Sequence, residues 1–77
     1  MKITIEFSTE NAAFEPFEPD EYPINGAEVV SVLDAARFII CTEAHEFRRD
    51  PNRRAAAHPL RDSNGKTCGQ VGMERDR

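Results

Sequence analysis

The sequence has few of the features that mark several large classes of protein. Its 77 residues include only two cysteines, too few for a disulfide scaffold at this size. No apolar run approaches the roughly 18–20 residues that cross a membrane. The first residues lack a lysine-led apolar segment, so we expect no signal peptide. The sequence therefore predicts one small domain with free thiols in the cytoplasm.

Basic residues are scarce in the first part of the chain. Residues 1–46 carry ten acids and two bases, a net charge of −8, whereas residues 47–77 carry four acids and eight bases, a net charge of +4. The total of −4 hides this asymmetry. Regions of opposite sign either neutralise each other within a fold or form two separate interaction surfaces.

The spacing of apolar residues predicts an α+β fold. Alternation predicts a strand over residues 2–8, and apolar residues at three- and four-residue steps predict a helix over residues 26–48. An Asn-Gly pair predicts a hairpin over residues 59–73, with a type I′ turn in which both Asn64 and Gly65 adopt positive φ. We expect a small β-α-β-β domain with a three-stranded antiparallel sheet packed on one main helix.

Turn signals and charge assign the remaining segments. We predict an acidic Pro-rich loop over residues 9–24, because three prolines interrupt any regular pattern there. An Asp-Pro pair predicts a short helical turn over residues 51–57. The last residues, 74–77, are predicted to form a frayed tail. All segments belong to a single domain.

The predicted helix has a recognisable start and an apolar face. Asn25 is a good N-cap, and Glu28 is at the position that completes a capping box. The predicted apolar stripe consists of Val29, Leu33, Ala36, Ile40, Ala44 and Phe47. Because an unpaired buried charge costs several kcal/mol, we expect Leu33→Asp to unfold the protein.

No arrangement of residues predicts catalysis. No Ser-His-Asp set and no glycine-rich phosphate loop is visible, so we expect a protein that is not an enzyme and has no cofactor. Cys41, His45, His58 and Cys68 are suitable zinc ligands, but their spacing matches no familiar zinc module. We therefore favour the absence of a metal site and a role for Cys41 as a small core residue.

Two charged regions are candidate binding surfaces. A basic cluster of Arg48, Arg49, Arg53 and Arg54 suits phosphate, although no stacking aromatic lies among them. We favour an intramolecular match to the acidic half. The acidic half could imitate the charge of a phosphate backbone, with Phe14, Phe17 or Tyr22 as apolar anchors. An equal alternative is that Phe14 and Phe17 cap the core while the acids face water. The predicted partner-binding residues are Glu15, Glu18, Asp20, Glu21, Tyr22, Glu28, Asp34 and Glu43.

Both ends of the chain resemble a group of small proteins of phages and other mobile elements. The first motif is MKITIEFSTENAAF. The second is LRDSNGKTCGQVG, with Leu60, Arg61, Asp62, Asn64, Gly65 and Gly69 at its characteristic positions. The resemblance implies an anti-CRISPR protein, because some small acidic phage proteins of this size look like inhibitors that mimic DNA.

The resemblance also implies a partner and a location. The expected partner is a Cas subunit of a type I surveillance complex, whose binding to target DNA is blocked in the bacterial cytoplasm. We expect a monomer that contacts neither nucleic acid nor a membrane directly. Two alternatives stay open: a nucleic-acid-binding or regulatory protein that uses the basic cluster, and a phage structural or assembly protein that oligomerises through surplus apolar helix surface.

Overall fold

The computed structural model describes residues 1–16 and 24–76. The elements in chain order are β1 (Lys2–Phe7), a 3₁₀ helix (Ala12–Phe14), α1 (Gly26–Arg49), β2 (Ala55–Arg61) and β3 (Thr67–Glu74). The helix α1 packs on a three-stranded antiparallel sheet, so the predicted α+β fold with β-α-β-β order is confirmed. The predicted strand and helix agree with β1 and α1 to within one residue.

The strand β3 is central, because the strand order in the sheet is β1-β3-β2. Val71 pairs with Ile5 of β1 and with His58 of β2, so these three side chains lie on one face of the sheet. Val71 is buried in the core that α1 covers. The helix packs against β2 and β3. The isoleucines of β1 on this face, Ile3 and Ile5, are 47% and 40% exposed.

The core lies between the sheet, α1 and the 3₁₀ helix. Its buried residues are Phe14, Val32, Ala36, Leu60 and Val71, none more than 1% exposed. Partly buried side chains pack around them, namely Phe7, Val29, Ile39, Ile40 and Cys68. Phe14 is thus a core residue, which removes it from the predicted binding anchors.

The buried face of α1 differs from the predicted stripe. Val32 and Ala36 are buried, whereas Leu33 is 45% exposed and Ala44 is also exposed. Apolar residues occur on most sides of this helix, so their spacing does not determine which side meets the sheet. Leu33→Asp was expected to unfold the protein because Leu33 was predicted to be buried. The buried positions are instead Val32 and Ala36.

The start of α1 has the predicted N-cap but not the predicted capping box. The Asn25 side chain accepts hydrogen bonds from the amides of Ala27 and Glu28. The Glu28 carboxylate accepts instead from the Ser63 amide, at 2.6 Å. The Asn25 amide donates to the Phe14 carbonyl, at 2.7 Å. The predicted capping box is wrong because the Glu28 carboxylate does not accept from the Asn25 backbone amide. Ser63 and Phe14 bind these two groups instead.

The short helical turn predicted over residues 51–57 is wrong. The Arg53 amide donates to the Asp50 carbonyl at 3.1 Å, which makes a single turn after α1. The chain then enters β2, where Ala55 is paired with Glu74. Alanine is a poor strand former by itself, but pairing with a central strand overrides that preference.

The hairpin predicted over residues 59–73 is present and begins earlier, at the start of β2. The Gly65 amide donates to the Asp62 carbonyl and the Asp62 amide to the Lys66 carbonyl, both at 2.9 Å. These bonds enclose a loop of residues 63–65 with Gly65 at φ +79°. Within the described residues no other residue type has positive φ, so the type I′ turn is wrong.

The tail predicted to fray over residues 74–77 is held in place where the structure describes it. Glu74 is the last residue of β3. The Arg75 guanidinium donates to the carbonyls of Arg53 and Phe47, at 2.9 and 2.8 Å. These bonds join the end of β3 to the end of α1, so the prediction is wrong for these residues. The last residue of the chain lies outside the described part.

Candidate acidic binding surface

The acidic segment, residues 15–24, lies between Phe14 and Asn25, which are hydrogen-bonded to each other. Phe14 is buried, and its ring stacks on Phe7 with 6.1 Å between the ring centroids. The carbonyl of Phe14 accepts the hydrogen bond from the amide of Asn25. This bond therefore holds the residues on either side of the segment close together.

A second contact connects Asn11, which precedes the acidic segment, to the hairpin loop. The Asn11 side chain donates to the Asp62 carboxylate at 2.9 Å. Asp62 is 6% exposed and accepts the amides of Asn64 and Lys66 at 2.9 and 3.0 Å. Burial raises the pKa of Asp62, but the hydrogen bonds from Lys66, Asn11 and Asn64 outweigh it and lower the pKa below its ordinary value.

This role of Asp62 was not predicted from the sequence. The available signal was an aspartate two residues before an Asn-Gly pair, because such a carboxylate commonly accepts backbone amides of the following turn. Its bond to Asn11 could not have been found in this way, since 51 residues separate the two in the chain.

The predicted partner-binding residues fall into three groups. Glu15 is exposed at the start of the acidic segment. Asp34 is exposed on α1, 3.6 Å from the Arg37 guanidinium. Glu28 and Glu43 lie inside the domain, as described below. The remaining predicted residues lie outside the described residues; they are Glu18, Asp20, Glu21 and Tyr22.

Glu28 and Glu43 are not part of an exposed acidic surface, and the prediction that they are is wrong. Glu28 is 8% exposed and Glu43 is 5% exposed. Both lie on the side of α1 that faces the rest of the domain. That side consists of Glu28, Val32, Ala36, Glu43 and Phe47. Glu28 joins the start of α1 to the hairpin loop through the Ser63 amide.

Glu43 is the centre of an internal network that joins it to Arg53 and His58. One carboxylate oxygen, Oε2, accepts a hydrogen bond from Nε of Arg53 at 3.0 Å and lies 2.7 Å from Nη2 of the same guanidinium. The other, Oε1, lies 2.7 Å from Nε2 of His58. The hydrogen bond with His58 lowers the pKa of Glu43, burial opposes this, and Arg53 adds to the lowering. Arg53 therefore compensates the charge of a carboxylate that was predicted to lie on the acidic surface.

The basic cluster is partly neutralised in the same way. Arg53 is bound to Glu43 and lies over the Phe47 ring, 5.5 Å from its centroid. Arg49 forms an ion pair with Glu46 at 2.9 Å. Three members of the cluster, Arg48, Arg49 and Arg54, are exposed. The expected intramolecular match is confirmed for Arg49 and Arg53, which weakens the case for a phosphate-binding cluster.

The candidate zinc ligands lie in different surroundings and do not form one site among the described residues. Cys41 is exposed on α1, so its predicted place in the core is wrong. Cys68 is partly buried, and burial together with the charge of Asp62 raises the pKa of its thiol. His58 is engaged with Glu43. Within residues 1–16 and 24–76, no group of three or more His, Cys, Asp or Glu side chains could hold a metal ion.

The fold itself is what defines the class of this protein. It is a small α+β domain with one long helix on a three-stranded antiparallel sheet. No family model, curated protein or solved structure matches the chain. None of the helices in the described ranges combines the length and apolar character needed to cross a membrane.

Proposed function

We propose that the protein is a non-enzymatic inhibitor that docks an acidic surface into the basic channel of a nucleic-acid-binding protein complex. The observation that carries this proposal is the acidic segment together with the hydrogen bond that joins its flanking residues. Residues 15–24 contain four acids, two aromatic residues and no base. The hydrogen bond between Phe14 and Asn25 attaches both ends of the segment to the core.

Contacts inside the domain engage three of the acids that lie outside this segment. The carboxylates of Glu28, Glu43 and Asp62 bind groups inside the domain. The acids of this segment have no base within their own stretch of chain, since none occurs between Lys2 and Arg37. A concentrated negative field steers association with a basic surface and makes it sensitive to salt.

The more specific form of the proposal names the partner. The resemblance of both ends of the chain to small phage proteins supports an anti-CRISPR role. The partner is then a Cas subunit of a type I surveillance complex in the bacterial cytoplasm, and the acidic segment occupies the channel that target DNA would enter. Aromatic residues such as Tyr22 supply the desolvated contacts that a stable protein interface needs.

The test compares two variants with equal changes of charge. The first reverses the acidic segment through Glu15→Lys, Glu18→Lys, Asp20→Lys and Glu21→Lys. The control reverses four acids elsewhere, through Glu46→Lys, Asp50→Lys, Glu74→Lys and Asp76→Lys. Tagged wild type and both variants are used to capture proteins from a bacterial lysate that contains a type I complex, with mass spectrometry as the readout.

We expect the wild type and the control to capture Cas subunits and the segment variant to capture none. The captured amount should fall as salt rises, because the attraction is between charged surfaces. Circular dichroism establishes that both variants are folded. Equal capture by the segment variant would refute docking through this segment. Capture of nucleic acid alone would favour the basic-cluster alternative instead.

A further inference from the structure

Among residues 1–16 and 24–76, no strand pairs with the outer edge of β1, so this open edge offers its backbone amides to a further strand. The Ser8 amide donates to the Cys68 carbonyl at 2.8 Å, in the same register that pairs Lys2 with Glu74. In an antiparallel ladder, residues alternate between bonding to one neighbour and bonding to the other. The even-numbered residues of β1 therefore bond to β3, and the amides and carbonyls of Ile3, Ile5 and Phe7 face outwards.

The other edge of the sheet is protected. The Arg75 amide donates to the Arg54 carbonyl at 2.8 Å, in the register that pairs Ala55 with Glu74. The same alternation places Pro59 of β2 with its backbone towards the open edge. Proline has no amide hydrogen, so it interrupts any ladder that a further strand could form there. An added strand is blocked at β2 and accepted at β1.

Beside the open edge, the sheet is apolar on the face against which α1 packs. Ile3 and Ile5 are 47% and 40% exposed, and Met1 is 46% exposed. On the opposite face, β1 carries Lys2, Thr4 and Glu6. The edge thus presents an apolar row and a charged row along one strand.

We propose that β1 is the interface of a homodimer, in which it pairs antiparallel with β1 of a second copy around Thr4. This arrangement follows from the sequence of the strand itself. It places Lys2 opposite Glu6 of the partner subunit and Ile3 opposite Ile5 of the partner subunit. Registers centred on Ile3 or Ile5 would place Lys2 opposite Thr4 or Ser8 and lose the charge pairs.

In this dimer the backbone groups, the apolar side chains and the charged side chains of β1 all gain partners. The outward amides of Ile3 and Ile5 gain carbonyl partners, and the sheet becomes continuous through both copies. The four isoleucines form one apolar strip, and two opposite-charge pairs lie on the other face. This proposal goes beyond the inhibitor function and replaces the monomer expected from the sequence.

The first experiment measures mass by light scattering over a series of protein concentrations. We expect the wild type to reach the mass of two chains. Lys2→Glu and Glu6→Lys each place like charges opposite one another at both ends of the interface. Each should raise the dimer dissociation constant about tenfold or more. Both positions are exposed, and circular dichroism verifies that each variant is folded.

Mixing the two single variants provides the decisive comparison. A heterodimer of Lys2→Glu with Glu6→Lys has opposite charges at both ends again, so the mixture should recover wild-type association. A structural defect in either variant would not be repaired by mixing. A wild type that keeps the mass of one chain at every concentration would overturn the proposal, as would variants that associate as strongly as the wild type.

A disulfide trap tests the register. Thr4 lies opposite Thr4 of the partner subunit in a non-hydrogen-bonded pair, where Cα atoms are about 4.5 Å apart and a disulfide fits. Thr4→Cys, in a Cys41→Ser background that removes the exposed native thiol, should form a linked dimer under mild oxidation. Thr67→Cys, in the same background, places an exposed thiol at the far end of the hairpin. Equal linking of both variants would overturn the proposed register.

Discussion

Glu28, Glu43 and Asp62 lie inside the domain, whereas Glu15 and Asp34 lie on its surface. The internal carboxylates each accept hydrogen bonds from groups distant in the chain, and they connect α1, the hairpin and the segment that precedes α1. Asp34 has a base nearby at 3.6 Å, and its side chain is 62% exposed. The same residue types therefore stabilise the fold in one region and provide surface charge in the other.

This difference changes how the charge of the protein should be counted. A carboxylate paired with an arginine inside the fold contributes little to the field that a partner experiences, whereas one that accepts only from backbone amides keeps its charge but cannot contact a partner directly. For a chain of 77 residues, a stability of about 4–12 kcal/mol is typical, so the loss of one buried, hydrogen-bonded carboxylate is measurable against it. Substitutions that exchange or remove these carboxylates test the distinction.

The largest expected effect comes from placing a new carboxylate in the core. Ala36 is 0% exposed, and Ala36→Asp should unfold the protein, at a cost of more than about 4 kcal/mol, because it places a new charge in the apolar core. Leu33→Asp, three residues earlier on the same helix, should remain folded. Urea unfolding followed by circular dichroism compares the two. Equal stability of the two variants would contradict the placement of the core face of α1.

A smaller effect is expected when an existing internal carboxylate is removed. Glu43→Ala leaves Arg53 and His58 without their common partner and should lower the free energy of unfolding by about 2 kcal/mol. The control is Glu46→Ala, one turn away, which removes an exposed pair with Arg49 and should cost less than about 0.5 kcal/mol. A control variant as unstable as Glu43→Ala would show that burial does not separate the two groups of acids.

The smallest expected effect is a difference in pH dependence. The pKa values of Glu43 and Asp62 are lowered in the folded state. Their stabilisation is therefore complete above the unfolded-state values, near pH 4, and is lost as the pH falls through the lowered values. Thermal unfolding between about pH 2 and pH 7 should show the wild type losing stability in this range, and Glu43→Ala should lose less.

Local signals in the sequence were sufficient for much of the fold. The alternation in β1, the Asn25 cap and the Asn-Gly pair each depend on residues a few positions apart, and each predicted an element that the structure contains. The hairpin was placed correctly but its turn was not, because Asp62 binds the amides of Asn64 and Lys66 and selects a longer loop.

The candidate site was harder to predict than the fold. Glu28 and Glu43 are indistinguishable from surface acids in the sequence, because their partners, Ser63, Arg53 and His58, are between 10 and 35 residues away. Glu15 was correctly predicted to be exposed. The second strand was predicted to begin too late, at residue 59 and not at Ala55, because its alanines pair with β3 only when the sheet assembles.

Short-range patterns and composition are enough to predict the order of the main elements and the accumulation of acids before α1. Long-range packing sets which side of α1 is buried, which carboxylates lie inside the domain and, among the described residues, which edge of the sheet is open. Those outcomes depend on pairings between distant residues, such as Glu43 with Arg53 and Ile5 with Val71. Such pairings form only when the whole chain has folded.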